Sequence, residues 1–297
     1  MTDRYAPGPT LLAWTALVML AFAANSVLTR AALAEELIQP LGFAWIRAAS
    51  GALALAIMIL VRDRRLSLSG PYRLVGVFSL TLYILAFSVA YVALDAGIGA
   101  LILFGGVQVT MFLGGLIAGE KVPLMRWLGA FAAFGGLVWL LLPGGGVSLS
   151  ILHGTLMLAA ALGWGIYSLV GRKSGEPLRA TAANFILSAP ICFAVVVLVP
   201  VAPDAAPGTP SGVVLAVLSG VVTSAMGYAL WYSVLPRLLP SVAAVAQLTV
   251  PVIAMAGGIV FLGEGLTLKF AVASVLVLGG VALSVIAPQR TSSSSGS

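Results

Sequence analysis

The chain has 297 residues, of which 61% are hydrophobic and only 8% charged, with a formal net charge of +6. Soluble globules average about 25% charged residues, so water is excluded as the solvent for most of this surface. One cysteine, Cys192, and one histidine, His153, exclude an intramolecular disulfide, a cysteine metal cluster and histidine-rich catalytic constellations.

In chain order, apolar runs predict helices over approximately 10–30, 39–61, 72–94, 98–118, 124–142, 151–171, 179–200, 211–235, 241–262 and 267–287. Each approaches the ~20 apolar residues with which a helix crosses the hydrocarbon core while satisfying its own backbone. Pro40, Pro123, Pro177 and Pro240 punctuate the joins, as does Pro143 with Gly144 to Gly146; such residues start or stop helices. The connections are short, which makes successive helices antiparallel. Ala32-Leu33-Ala34 has the small-residue pattern of a signal cleavage site, but the run Thr10 to Thr29 exceeds a signal core of about 7–15 residues. It is read as a retained helix.

Lys and Arg are held on the cytoplasmic side of a membrane protein. With the N-terminus inside, the cytoplasmic segments hold Arg4, Arg62, Arg64, Arg65, Arg73, Lys121, Arg126, Arg172, Lys173, Arg179, Arg237 and Arg290. Only Arg30 and Lys269 fall on the other side, and Arg47 lies within a span. Both termini are therefore expected in the cytoplasm. The basic residues are spread over short loops facing lipid head groups, which argues against a nucleic-acid partner.

A repeat runs through the chain. Gly119-Glu120 recurs as Gly263-Glu264, and Gly135-Gly136 recurs as Gly279-Gly280, both displaced by 144 residues (264 − 120 and 279 − 135). FAANSVLTR at 22–30 is answered by WGIYSLVGR at 164–172, and AYVAL at 90–94 by LWYSVL at 230–235. The first five helices thus match the last five. Five is odd, so the second copy is expected upside down in the membrane, as in secondary transporters whose halves rock around a site at the midplane. Glu120 and Glu264 fall at opposite interfaces, where each is expected to stay hydrated or to cap the helix that follows.

These features together resemble the EamA family of the drug/metabolite transporter superfamily. The residues that carry the resemblance are WTALVMLAFAANSVLTR (14–30), IRAASGALAL (46–55) and the pattern of Pro251, Ala254, Gly263-Glu264 and Gly279-Gly280. The bacterial aromatic amino acid exporters of the YddG type look nearest. The resemblance implies an all-α membrane protein with ten transmembrane helices in two inverted five-helix repeats. Residues 1–9 would be a cytoplasmic N-terminus, 10–142 and 151–287 the two repeats, and 288–297 a disordered cytoplasmic tail. It further implies export of small amphipathic metabolites, amino acids among them, by alternating access across the bacterial inner membrane. Nucleotide sugars, drugs or other metabolites are the alternative cargo. No cofactor and no enzymatic activity are expected, and the protein is expected to be a monomer whose partners are its solute and membrane lipid. One departure is visible: Val107 stands where the second half has Pro251, so a proline bend is expected in one half only.

Polar and aromatic residues inside spans are the candidates for contact with solute, because a polar group in hydrocarbon usually faces the bundle interior. Asn25, Gln108 and Gln247 offer amides that donate and accept. Tyr83, Tyr91, Trp164, Tyr167 and Tyr228 offer rings with polar tips. Arg47, the one charge well inside a span, reads either as a partner for a carboxylate or as a side chain bonded within the architecture. The acidic residues fall in loops or at span ends, so no buried carboxylate relay is expected and transport should run down the solute's own gradient or by exchange.

Overall fold

A computed structural model describes residues 9–119, 123–142, 150–171, 173–199, 208–238, 243 and 246–286. Glu120, Arg172, Pro240, the turn at Pro143 to Gly146, residues 1–8 of the expected N-terminal segment and the tail lie outside them. The described residues are helical or in turns and loops, with no strand among them. The helices are α1 (Pro9–Ala34), α2 (Pro40–Asp63), α3 (Arg73–Ala90), α4 (Ala96–Ile117) and α5 (Leu124–Leu141) in the first half. The second half holds α6 (Ile151–Gly171), α7 (Pro177–Leu198), α8 (Pro210–Arg237), α9 (Thr249–Leu262) and α10 (Leu268–Ile286). Seven of these, α1 to α4 and α6 to α8, are long and apolar enough to cross a membrane, and shorter apolar helices cover 127–141, 249–262 and 268–283. Large apolar side chains such as Leu53, Phe78, Phe131 and Phe261 stand exposed on the bundle. This is the surface of a multi-pass membrane protein, with acyl chains as its solvent.

Without water to drive apolar faces together, helices in lipid associate through close packing of small residues. α3 packs on α6, α2 on α7, α4 on α6 and α9, and α1 on α8 and α9. At Gly163 in α6 an added Cβ would lie 2.6 Å from the Ser79 carbonyl oxygen and 2.9 Å from the Tyr83 nitrogen. Backbone thus rides on backbone where α3 and α6 cross. The repeated Gly-Gly pairs have the same use. Gly136 leaves no room beside Leu276 and Val277, and a Cβ at Gly280 would lie 2.6 Å from the Gly129 carbonyl oxygen, so α5 and α10 interlock. Gly135 and Gly279 meet nothing within 4 Å. Only the second glycine of each pair is a packing residue.

The helices differ from the sequence expectation in three places. α3 stops at Ala90 and residues 91–93 form a turn, which brings α4 forward to Ala96. α8 is not α-helical throughout, because Ser219–Met226 is wound as a π-helix. The expected proline bend is not a mid-helix kink: Leu248 is a turn and Pro251 sits in the first turn of α9. A first-turn proline loses no helical hydrogen bond.

Both glycines of the Gly-Glu repeat have left-handed backbone, with φ of +80° at Gly119 and +66° at Gly263. Glycine adopts this region without a Cβ penalty and so ends helices there. The N–H groups of Gly263 and Glu264 both return to the Gly258 carbonyl, which closes α9. The turn aims Glu264 at the N-terminus of α4, not at α10 as the sequence led us to expect. Its two carboxylate oxygens each accept from the Ala96 N–H at 2.9 Å. Arg30 from α1 stands 3.4 Å from Glu264 and 3.6 Å from Asp95, and it donates to the carbonyls of Tyr91 and Val92. One ionic knot thus ties α1, α4 and the end of α9. A second joins Asp63 at the end of α2 to Arg62 and to Arg179 of α7, with Glu176 beside Arg179.

Two outcomes are expected. Gly163→Ala should destabilise the purified protein by about 1–3 kcal/mol, because neither backbone can yield. Gly279→Ala, with open space around it, is the control for a thermal-unfolding comparison. The other outcome follows from Glu264. Burial holds its carboxyl above the ordinary 4.5, opposed by the Ala96 N–H and by Arg30. Relative to the unfolded chain the folded state therefore binds this proton more tightly, and the stability this contributes is full below pH 4.5 and lost as pH rises through the higher folded value. The thermal midpoint of the native protein should rise relative to Glu264→Gln as pH falls from neutral toward 4.5. A gap that moves the other way would contradict this burial.

Candidate functional site

α8 and α2 cross with almost no space between them: a Cβ at Gly51 would lie 3.1 Å from the Gly220 carbonyl oxygen. That crossing presses the π-helical part of α8 against α2 and α1. A π turn widens the helix and re-aims side chains, and such turns are frequent at functional sites. Here it presents Ser219, Thr223 and Ser224, all buried, to the bundle interior. Ser219 Oγ donates to Asn25 Oδ1 at 2.7 Å, and Thr223 Oγ1 lies 3.0 Å from the same oxygen. Ser224 Oγ accepts from Arg47 Nε at 3.1 Å.

Arg47 has no accessible surface. Its Nη2 donates to the Tyr83 hydroxyl at 2.9 Å, and its guanidinium carbon lies 5.1 Å from the Tyr83 ring centre and 4.9 Å from that of Phe87. Nη1 is buried without a hydrogen-bond partner among the described residues. Tyr83 Oη also receives the Asn25 amide at 3.4 Å. One connected polar group therefore spans α1, α2, α3 and α8 near the middle of each helix.

A cavity opens beside this group. α1 contributes Phe22, Asn25 and Ser26, and α3 contributes Tyr83 and Phe87. Leu103 and Phe104 of α4, Trp164 of α6, and Thr223 and Tyr228 of α8 complete it. The rings touch: Trp164 is centred 5.0 Å from Tyr83 and 5.0 Å from Tyr228, and Phe22 lies 5.9 Å from Tyr228. The space left between them holds little more than a water-sized body.

Four of the residues expected from the sequence thus share one wall: Asn25, Tyr83, Trp164 and Tyr228. Tyr167 stacks behind Trp164 at 5.4 Å and donates to Thr181 Oγ1 at 2.7 Å. Arg47 stands behind Tyr83 and Phe87. Tyr91 is fully buried; its hydroxyl donates to the Ala96 carbonyl at 3.3 Å, close under the Glu264 cap. Gln108 and Gln247 are half-buried and do not line the cavity. The sequence reading missed Phe22, Phe87 and Phe104, which in an apolar run are indistinguishable from lipid-facing rings, and Thr223, whose aim depends on the π turn. Among the described residues no group of three His, Cys, Asp or Glu side chains is placed to hold a metal ion.

Comparison with known proteins adds three findings. The model of the EamA-like transporter family matches the chain twice, over residues 10–142 and 153–286. An uncharacterized protein of Pseudomonas aeruginosa is 44% identical over 289 residues, covering 95% of this chain and 96% of that protein. A solved crystal structure aligns with a TM-score of 0.65 at 19% identity over 91% of this chain and 98% of its own, a likeness of fold.

Proposed function

Because the chain belongs to the EamA-like transporter family of the drug/metabolite transporter superfamily, we propose that it exports small amphipathic metabolites, aromatic and other amino acids among them, by alternating access. The observation that carries the reading is the aromatic cavity between the two family-matching segments, with one polar corner. Such a lining suits a solute with an apolar side chain and a polar head. Its contracted volume fits a state that must open to take a solute. In this reading all ten helices span the bacterial inner membrane with both termini in the cytoplasm, and the two halves are inverted copies.

Several observations support the duplication. The largest contacts between the halves keep their pattern when each helix is exchanged for the one five places along: α3 on α6 becomes α8 on α1, and α4 on α6 becomes α9 on α1. Repeat-related rings also meet in the cavity. Phe22 and Trp164 share a register (164 − 22 = 142), as do Phe87 and Tyr228, at the spacing of Tyr91 and Tyr232 (228 − 87 and 232 − 91, both 141). The ionic knots join only residues that the positive-inside assignment puts on one face, Arg30, Asp95 and Glu264 outside and Asp63, Glu176 and Arg179 inside. The acidic residues among the described ones lie at helix ends or in loops, which supports export down the solute's gradient or by exchange, without a proton relay.

We assign Asn25, Tyr83, Trp164 and Tyr228 to direct contact with solute. Arg47, Tyr91 and Tyr167 hold that wall in place, and Gln108 and Gln247 belong to the route into it. The test is efflux of preloaded phenylalanine from proteoliposomes. Trp164→Ala removes a cavity ring that touches three others, so efflux per folded protein should fall by about tenfold or more, while the lost ring pairs, roughly 0.5–1.5 kcal/mol each, lower the thermal midpoint. Gln108→Ala should cost less. Full efflux in Trp164→Ala would remove this cavity from the transport route.

A further inference from the structure

We propose that the solute must carry an anionic group, a carboxylate, which seats at the corner formed by Tyr83 and Asn25 and is held there by the buried charge of Arg47. The inference rests on the transporter reading and narrows its substrate class: solutes that keep the apolar side chain but lack the carboxylate are poor cargo.

The polar corner is rich in donors and short of acceptors. Tyr83 Oη already accepts from Arg47 Nη2 and from the Asn25 amide. A hydroxyl oxygen has two lone pairs, so both are engaged and the remaining capacity is its O–H proton. Asn25 Oδ1 accepts from Ser219 Oγ and lies against Thr223 Oγ1, whose one proton is nearer the Ser219 carbonyl, and Ser224 Oγ accepts from Arg47. The groups at this corner with capacity left toward the cavity are donors, the Tyr83 O–H and the second Asn25 N–H; Arg47 Nη1, buried behind Tyr83 without a hydrogen-bond partner among the described residues, adds its charge. An ammonium, which only donates, is left the Ser26, Thr223 and Tyr228 hydroxyl oxygens elsewhere on the wall, and the buried cation of Arg47 repels it. A carboxylate, which only accepts, matches both cavity-facing donors.

Charge leads to the same conclusion. Among the described residues no carboxylate contacts Arg47; around it stand Ser224, the Tyr83 hydroxyl, the faces of Tyr83 and Phe87 and, close by, the Tyr228 hydroxyl. A buried ion without a counter-ion is costly even after relaxation. Ring faces and hydroxyls offset part of that, and an anion arriving in the cavity offsets the rest. Arg47 is a positioning residue, because Tyr83 and Phe87 separate it from the cavity. It orients Tyr83 by taking its lone pair and, as a cation, makes the Tyr83 O–H a stronger donor. The apolar remainder of the solute then lies among Phe22, Phe104, Trp164 and Tyr228.

The test uses the full chain in lipid nanodiscs and two matched sets of probes. One set is phenylalanine, hydrocinnamate and phenethylamine; the other is leucine, isocaproate and isoamylamine. Binding is read from the rise in thermal midpoint with concentration. In each set the two carboxylates should bind about tenfold or more tighter than the amine, the worth of a hydrogen bond to a charged group. Tyr83→Phe removes one oxygen and should erase most of that preference while leaving the amine unchanged. Arg47→Lys should keep part of the preference and Arg47→Met should lose it, a change in selectivity that a merely structural role would not produce. Amines binding as tightly as carboxylates, or a preference that survives Tyr83→Phe, would overturn the proposal. Amines that are also carried through proteoliposomes would leave the transporter reading standing and remove only the anion site. Failure of every probe both to bind and to cross would overturn the two together.

Discussion

The hydrogen bond from Arg47 to the Tyr83 hydroxyl is the contact on which the rest of this bundle depends. It places a full positive charge where no water reaches, with a serine, a phenol and two ring faces for company. In a medium of low dielectric such a charge organises everything near it, because any group that turns away leaves it unpaired. Asn25, Ser219 and Thr223 complete the ring of partners from α1 and α8. The cavity lies on the far side of Tyr83, so the same phenol is both the foundation of the core and part of the wall proposed to meet the solute.

Backbone contacts bring these side chains together. The α2–α8 crossing at Gly51 and Gly220 and the α3–α6 crossing at Gly163 leave no room for a Cβ. Close approach of this kind replaces the hydrophobic drive that is missing in lipid. The Arg30–Glu264 knot has a different character. It lies at the bundle end and depends on a carboxylate at the N-terminus of α4. Charged contacts at an interface exchange readily with water, whereas glycine crossings do not.

Much of this was legible in the sequence. The apolar runs gave the membrane class, and the 144-residue spacing singled out Gly119 and Gly263, both of which prove to have left-handed backbone. Asn25, Tyr83, Trp164 and Tyr228 stood out because polar tips within apolar runs are rare. Other features were hidden for identifiable reasons. The π turn of α8 spans eight residues, too few for its period to be told from an α-helical one. Glu264 was expected to stay hydrated or to cap the helix that follows it, but the turn at Gly263 carries it to α4, 168 residues away from it in sequence at Ala96. Arg47 could be seen as the lone charge inside a span; its partners, 36 and 177 residues distant, could not.

Crystals grown with para-bromophenylalanine would locate the solute directly through anomalous scattering by bromine. The peak is expected among Phe22, Phe104, Trp164 and Tyr228, with the carboxylate density reaching the Tyr83 hydroxyl and the Asn25 amide. A bromine peak in that cavity with the carboxylate turned away from Tyr83, or a peak only at the lipid-facing surface, would contradict a buried anion site held by Arg47.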